Sequence, residues 1–226
     1  MGLLQKIKAN GLVFSFGIVF NRVVPIWLFR CCRFVVFEMK AGRDIKIKDR
    51  GDDGLILRWC QSESDYRTAE RLTFFSRQNQ PFESRAFMAA YEDQTVAGFW
   101  CAADKFVETD LGIAFEFKPH ESWLFAARVD KDFQNRGIHQ RVIKSIITEL
   151  NDSGTSNVLL SVNPNNRSSI VAHQRHATKL LGKVLAIRLL NVTACFCSGP
   201  DVQIERSFTL NASNNPIYVH LKSSAT

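Results

Sequence analysis

No part of the chain constrains the fold more than residues 122–177, where two apolar runs alternate with two helical patterns. Residues 122–129 (Ser-Trp-Leu-Phe-Ala-Ala-Arg-Val) are aromatic and branched over the length of one buried strand. The stretch from Asp130 to Gly137 is polar and ends on glycine. Ile138, Val142, Ile146 and Leu150 then recur four apart, with Ile143 and Ile147 beside them, which makes one apolar helix face. Residues 158–162 form a second apolar run, and the loop Asn163-Pro164-Asn165-Asn166-Arg167 opens a further helix. Buried strands alternating with amphipathic helices require a sheet with helices laid on it. The order also prepares an anion site. A basic, glycine-containing turn at a helix N-terminus offers backbone N–H groups that lack helical partners, at the positive end of the helix dipole.

The chain has 226 residues, 46% hydrophobic and 23% charged, which suits one core-bearing domain with an appendage. We read an apolar and basic arm with its linker over residues 1–50 and a domain over residues 51–226. The net charge of +7 belongs to the arm: residues 1–50 hold ten Lys/Arg against Glu38, Asp44 and Asp49, and the remainder balances, nineteen against nineteen. Such an arm suits an anionic membrane surface or an acidic partner. Nucleic acid is not expected, because zinc-finger spacing, an RNP-like strand and a recognition helix are all missing. The cysteines at 31, 32, 60, 101, 195 and 197 lie in apolar strands without metal spacing. No metal site and no disulfide framework are expected, and the compartment reads as reducing and cytoplasmic.

Within the arm, residues 12–20 and 23–29 are apolar, interrupted by Asn21-Arg22 and carrying Pro25. Neither run reaches the roughly 20 residues of a spanning helix. No small-residue cleavage site follows, so a secretory signal is not expected. Two readings stay open. In one, residues 1–40 make a peripheral contact with the inner membrane surface, with Trp27, Phe29 and Phe34 in the interface and Arg22, Arg30 and Arg33 at the headgroups. In the other, the arm packs on its own domain or on a second copy in a homodimer. Residues 34–39 are β-prone and suit an extra strand.

After the charged linker 41–53, residues 55–60 read as a strand. Residues 62–77 read as a helix capped by Ser62 or Ser64, with Tyr66, Ala69, Leu72, Thr73 and Phe74 toward the core. Residues 87–91 and 96–102 read as a hairpin, and Gly98 in its second strand implies a bulge or a close backbone approach. Residues 104–120 read as a long, variable connection. Residues 183–190, 191–196, 203–210 and 217–221 read as further strands or edges. The class is α+β, a mixed sheet flanked by helices.

Gln134-Asn135-Arg136-Gly137-Ile138, after a strand and opening a helix, resembles the Gln/Arg-x-x-Gly-x-Gly/Ala pyrophosphate loop of the GNAT superfamily, the acyl-CoA-dependent N-acyltransferases. Asn166-x-x-Ser169-x-x-x-His173 is similar to that superfamily's second signature, at the expected distance. The hairpin ending Val96-Ala97-Gly98-Phe99 resembles its second and third strands. The resemblance covers residues 55–190. It implies a GNAT-like fold and an N-acyltransferase, by preference an N-acetyltransferase. Its co-substrate would be acetyl-CoA or another acyl-CoA, and its partners coenzyme A and a small-molecule amine. Backbone groups near Ala127 and Val129 are implied to pair with the pantetheine arm. Gln134, Asn135, Arg136, Gly137, Ile138 and His139 are implied to hold the pyrophosphate, with Asn166 and Ser169 meeting the arm from the other side. Physically, Gly137 allows close backbone approach, the N–H groups of residues 135–139 can converge, and Arg136 adds charge. An arm ending in a strand is also similar to bacterial members encoded with envelope-polysaccharide functions, which suggests an amino sugar or amine of that metabolism as acceptor.

The reaction implied is direct attack of the amine on the thioester. It needs a deprotonated amine, a stabilised oxyanion and a proton for the leaving thiolate. His173 stands where many members carry the Tyr that supplies this proton, and is the candidate general acid; the alternative is a packing histidine. Glu121, near Glu116 and His120, is the candidate base, with a water chain as the alternative. Two departures stand out. His139 replaces the usual Gly or Ala, where it crowds or contacts the phosphates. His176-Ala177-Thr178 replaces the usual Gly-Phe. The competing function is a non-catalytic acyl-CoA-binding sensor or scaffold of the same fold.

Overall fold

The computed structural model describes residues 24–25, 28–42, 54–92 and 94–224. The arm before Val24, Trp27, most of the charged linker and Asp93 of the hairpin turn lie outside the described residues, and the expectations for Arg22 and Trp27 with them. In chain order the elements are β1 (Phe29–Lys40), β2 (Leu55–Trp59), α1 (Glu63–Thr73), β3 (Ser84–Tyr91), β4 (Gln94–Ala102), β5 (Lys105–Glu108) and β6 (Ile113–Glu116). Then come β7 (Glu121–Val129), α2 (Ile138–Asp152), β8 (Asn157–Val162), α3 (Arg167–Gln174), β9 (Lys179–Leu189), β10 (Val192–Ser198), β11 (Val202–Ile204), β12 (Phe208–Leu210) and β13 (Ile217–Leu221). The described residues fall into two compact units. The first holds those up to Phe37, Val107–Glu116 and those from Ser161; the second holds those of Glu38–Phe106 and Phe117–Leu160.

In the second unit the strand order is β8-β7-β4-β3-β2. β7 and β8 run parallel and the other neighbours antiparallel. Gly98 and Trp100 of β4 face α1, whereas Phe99 faces His139 of α2, so the two helices cover opposite faces. The α2 face expected from its period is buried in full: Ile138, Val142, Ile143, Ile146, Ile147 and Leu150. Both expectations for Gly98 are met. A Cβ there would stand 2.9 Å from Thr73 Cγ2, and the β4–β7 register shifts between Gly98 and Trp100.

α1 begins where Ser62 and Asp65 form a capping box, the Asp65 N–H donating to Ser62 Oγ at 3.1 Å and the Ser62 N–H to Asp65 Oδ2 at 3.3 Å. Arg58 grips the same carboxylate from two nitrogens at 2.7 and 2.8 Å, which holds it well below the usual carboxylate range. The helix stops earlier than expected. Thr73 is its last residue, Phe74 turns left-handed (φ 58°), and a short 3-10 turn follows at Arg77–Asn79. The expected core residue Phe74 is 78% exposed, under the Arg128 guanidinium at 4.2 Å. Its neighbour Phe75 goes inward instead, 4.8 Å from the Trp100 ring, and that turn of the chain ends the helix.

The first unit carries the strand order β12-β10-β9-β1, with β1 up to Phe37, and a smaller sheet in the order β11-β13-β6-β5, with β5 from Val107, in which β13 runs parallel to β6. The extra strand expected at 34–39 is longer, from Phe29 to Lys40, and Phe34 packs edge-on against Phe115 at 6.0 Å. The connection expected over 104–120 contains two strands, β5 and β6, because β13 arrives from far along the chain to pair with β6. The expected strand 203–210 is split: β11 pairs with β13 and β12 with β10, in two different sheets.

Candidate acyl-coenzyme A site

β7 is a strand with two unlike halves. From Glu121 to Leu124 it pairs in parallel with Asn157–Leu160 of β8. Along its other edge it stays paired with β4 as far as Val129. Its second half begins at Phe125, and Ala126 adopts a left-handed φ of 46°, rare for a residue with a Cβ. The ladder that its first half makes with β8 ends two residues earlier, at Leu124. Ala127 is exposed and Val129 half-buried along this segment.

Beyond Val129 the chain makes the charged turn. The Asp130 carboxylate accepts the Asp132 N–H at 3.0 Å and caps a 3-10 turn at Lys131–Phe133. The Gln134 amide donates back to the Val129 carbonyl at 3.2 Å, tying the turn to the end of β7. Arg136 donates to the Asp132 carbonyl at 3.0 Å and lies 4.8 Å over the Phe133 ring. Asn135 and Gly137 are both left-handed, with φ of 64° and 79°. Gly137 caps α2, its carbonyl accepting the N–H groups of Gln140 and Arg141 at 3.1 and 3.2 Å. No acid stands in the first turn of α2, so nothing on the helix offsets the positive end of its dipole. His139 turns its ring to the sheet, 5.1 Å from that of Phe99.

The structure thus gathers Ala127, Val129 and Gln134 to His139 at one end of β7. Glu121 stands at the other end. It is buried, and its carboxylate accepts the Lys118 N–H at 2.8 Å and the Asn157 amide at 3.4 Å. Asn166, Ser169 and His173 belong to the first unit. There Asn166 caps α3, accepting the Ser169 N–H at 3.2 Å and the Ser168 hydroxyl at 2.9 Å. His173 is buried, 5% exposed.

One group of residues escaped the sequence reading. Around Phe125 stand Phe75 at 4.9 Å, Phe106 at 4.9 Å and Phe82 at 5.7 Å, ring centre to ring centre. They form an aromatic wall beside the left-handed Ala126, on the α1 side. The sequence signalled Phe75 and Phe82 only as a density of Phe between α1 and β3, and Phe125 only as part of the apolar run of β7. Among the described residues, no three His, Cys, Asp or Glu side chains gather as a metal site.

No curated protein matches the chain. Among solved structures, a GCN5-related N-acetyltransferase from Kribbella flavida is 10% identical, with 77% of this chain and 62% of that one covered and a TM-score of 0.48. A functionally unknown conserved protein from Staphylococcus epidermidis ATCC 12228 is also 10% identical, with 71% and 63% covered and a TM-score of 0.50. The chain thus spans a little over six-tenths of their length, and at 10% identity the second likeness is one of fold alone. The family described as Acetyltransferase (GNAT) family matches residues 55–177, which run from β2 past the end of α3 and take in both the turn and the His173 segment. By this match over more than half its length, with a mixed sheet flanked by helices to bear it out, the chain belongs to the GNAT acetyltransferase family.

Proposed function

We propose that the protein moves an acyl group, by preference acetyl, from acyl-coenzyme A to a primary amine. The observation that carries this reading is the turn at 134–139: a left-handed Gly137, open space where its side chain would stand, and a helix N-terminus with no acid in its first turn. These features suit a pyrophosphate, whose charge calls for backbone donors and close approach. In this reading the N–H groups of residues 135–139 hold the phosphates, Arg136 adds its charge, and Gln134 anchors the turn to Val129. The backbone at Ala127 and Val129 pairs with the pantetheine arm, and Asn166 and Ser169 contact it.

The thioester supplies an activated acyl carbon. The rings around Phe125 keep water from it and favour the neutral amine, because desolvation disfavours the ammonium form. As the new C–N bond forms and the C–S bond breaks, the departing thiolate takes a proton, which we assign to His173. The amine's proton leaves through water. Glu121 is committed to Lys118 and Asn157, and we assign it the bracing of β7 in preference to the base. The acceptor we favour is an amine or amino sugar of envelope polysaccharide metabolism, modified in the cytoplasm.

A second reading, a non-catalytic acyl-CoA binder, is favoured by the burial of His173 and by the use of Asn166 to cap its own helix. Calorimetric titration with acetyl-CoA, beside Gly137→Glu, tests the site. Binding by the wild type that weakens at least about tenfold in the variant, a change of about 1.4 kcal/mol, supports it. No binding by the wild type rejects it. Release of coenzyme A thiol with a panel of amines then separates enzyme from binder.

A further inference from the structure

The register of β9, β10 and β12 sorts their residues onto two faces, since partners opposite one another share a face. One face carries Thr193, opposite Arg188 and Thr209, with Cys195 and Ala186 beyond. It is buried, and its polar groups are satisfied. Thr193 donates to the Leu111 carbonyl at 2.8 Å, Thr209 to the Asn215 carbonyl at 3.0 Å, and Arg188 to the Thr109 carbonyl and Ser213 hydroxyl, each at 3.0 Å. The other face carries Val192 opposite Leu189 and Leu210, Ala194 opposite Ile187 and Phe208, and Phe196 opposite Leu185. This face looks outward: Leu189 is 54%, Phe196 51%, Phe208 53% and Leu210 61% exposed.

A sheet with one wet face normally turns its polar residues outward. Here the polarity is inverted, and a contiguous exposed apolar face of this kind marks a contact surface. Its charges are of one sign. Lys183, opposite Ser198, is the charged residue at the register positions of this face, and no acid occupies any of them. Arg33 joins Lys183, Leu185 and Phe196 in lining a shallow cavity of about 360 Å³. Leu28, where the apolar and basic arm enters β1, accepts the Leu190 N–H at 2.8 Å at the end of β9. A negative surface complements Arg33 and Lys183. No helix among the described residues is long and apolar enough to cross a membrane, so a contact of this kind would lie in the interface.

We propose that the outward face of β9, β10 and β12 docks on an anionic lipid bilayer. Leu189, Phe196, Phe208 and Leu210 enter the boundary between headgroups and acyl chains, and Arg33 and Lys183 meet headgroup phosphates. The proposal is independent of the acyltransferase reading.

Co-sedimentation of the full chain with phosphatidylcholine vesicles, with and without phosphatidylserine, tests it. The expected result is binding that strengthens with phosphatidylserine and falls at least about tenfold, some 1.4 kcal/mol, in Phe208→Ser/Leu210→Ser. Arg33→Ala/Lys183→Ala should remove most of the phosphatidylserine dependence. Circular dichroism and thermal melting of each variant establish that the fold is retained. Phe196→Trp, read by fluorescence, keeps the test independent of the disruptive variants: a blue shift on adding vesicles supports docking, and an unmoved spectrum overturns it. Absence of vesicle binding overturns the proposal. So does binding that survives Phe208→Ser/Leu210→Ser and is lost in Phe14→Ser/Phe16→Ser, which would give the contact to the arm alone. A concentration-dependent dimer that Phe208→Ser/Leu210→Ser abolishes, without vesicle binding, makes the face a self-interface and overturns it as well.

Discussion

At Gly137 the backbone, not crowding, selects the residue. Its φ of 79° is left-handed, yet a Cβ would meet nothing within 4 Å. Gly137→Ala should therefore fold and cost about 1 kcal/mol in chemical denaturation, the price of a side chain in that conformation. Thr73 is chosen by chemistry. Its hydroxyl donates to the Ala69 carbonyl at 2.7 Å and accepts the Trp100 indole N–H at 2.9 Å. Thr73→Val keeps the shape and removes the acceptor, leaving the indole N–H of fully buried Trp100 without it. The expected loss is about 1–3 kcal/mol, largely restored in Thr73→Ser. For His173, the assigned role predicts that His173→Asn lowers kcat about 10²- to 10⁴-fold while the affinity for coenzyme A, read by calorimetry, stays within about twofold. Loss of both together would make it a packing histidine.

Between elements, Gly98 sets how closely α1 lies on β4. A Cβ there would come within 2.9 Å of Thr73 Cγ2 and 3.7 Å of Leu72 Cδ2, both on the last turn of the helix. Gly98→Val should push α1 off the strand and cost about 1–3 kcal/mol, seen as a lower urea midpoint at unchanged m-value. The same glycine was conspicuous in sequence, because a glycine inside a strand needs a reason. α2 was equally legible: six apolar residues at helical spacing fill one face, and all six are buried. The end of α1 was not. Phe74 and Phe75 are the same residue type, and which of them turns inward depends on the rings of Trp100 and Phe125, brought there by other strands.

Across the whole molecule, two carboxylates of the described residues give the pH response of stability opposite directions. Burial first, then the neighbouring Asp110, raises the Glu108 carboxyl to about 7 from the ordinary 4.5. A carboxyl held above its unfolded value keeps its proton longer in the native state. Its contribution is full below the unfolded value and is lost as pH rises through about 7. Glu108→Gln should therefore flatten the fall in melting temperature between mildly acidic and mildly alkaline buffer, an effect on the order of 2 kcal/mol. Asp65 works in the opposite direction. Its carboxyl is lowered by the Arg58 hydrogen bonds and then by the Gln61 N–H, so its contribution is lost only in acid, in a window that does not overlap the first. That contribution is small, since the pair lies near the surface.

Local pattern alone determined the alternation of strand and helix over 122–177, the buried face of α2, the choice of Ser62 or Ser64 as the cap of α1 and the placement of the turn 134–139 at a helix N-terminus. Each of these is decided within one or two turns of chain, by periodicity, capping and backbone freedom. Tertiary structure decided the rest. β5 and β6 are strands because β13 pairs with β6 from a hundred residues away. Residues 203–210 divide because their two halves find partners in different sheets. The rings around Phe125 converge from α1's exit, β5 and β7. The outward apolar face of β9, β10 and β12 exists because Leu111, Asn215, Thr109 and Ser213 satisfy Thr and Arg within. Pairing between distant segments is settled by which edges remain open and which donors remain unmet, and no local stretch of sequence carries that information.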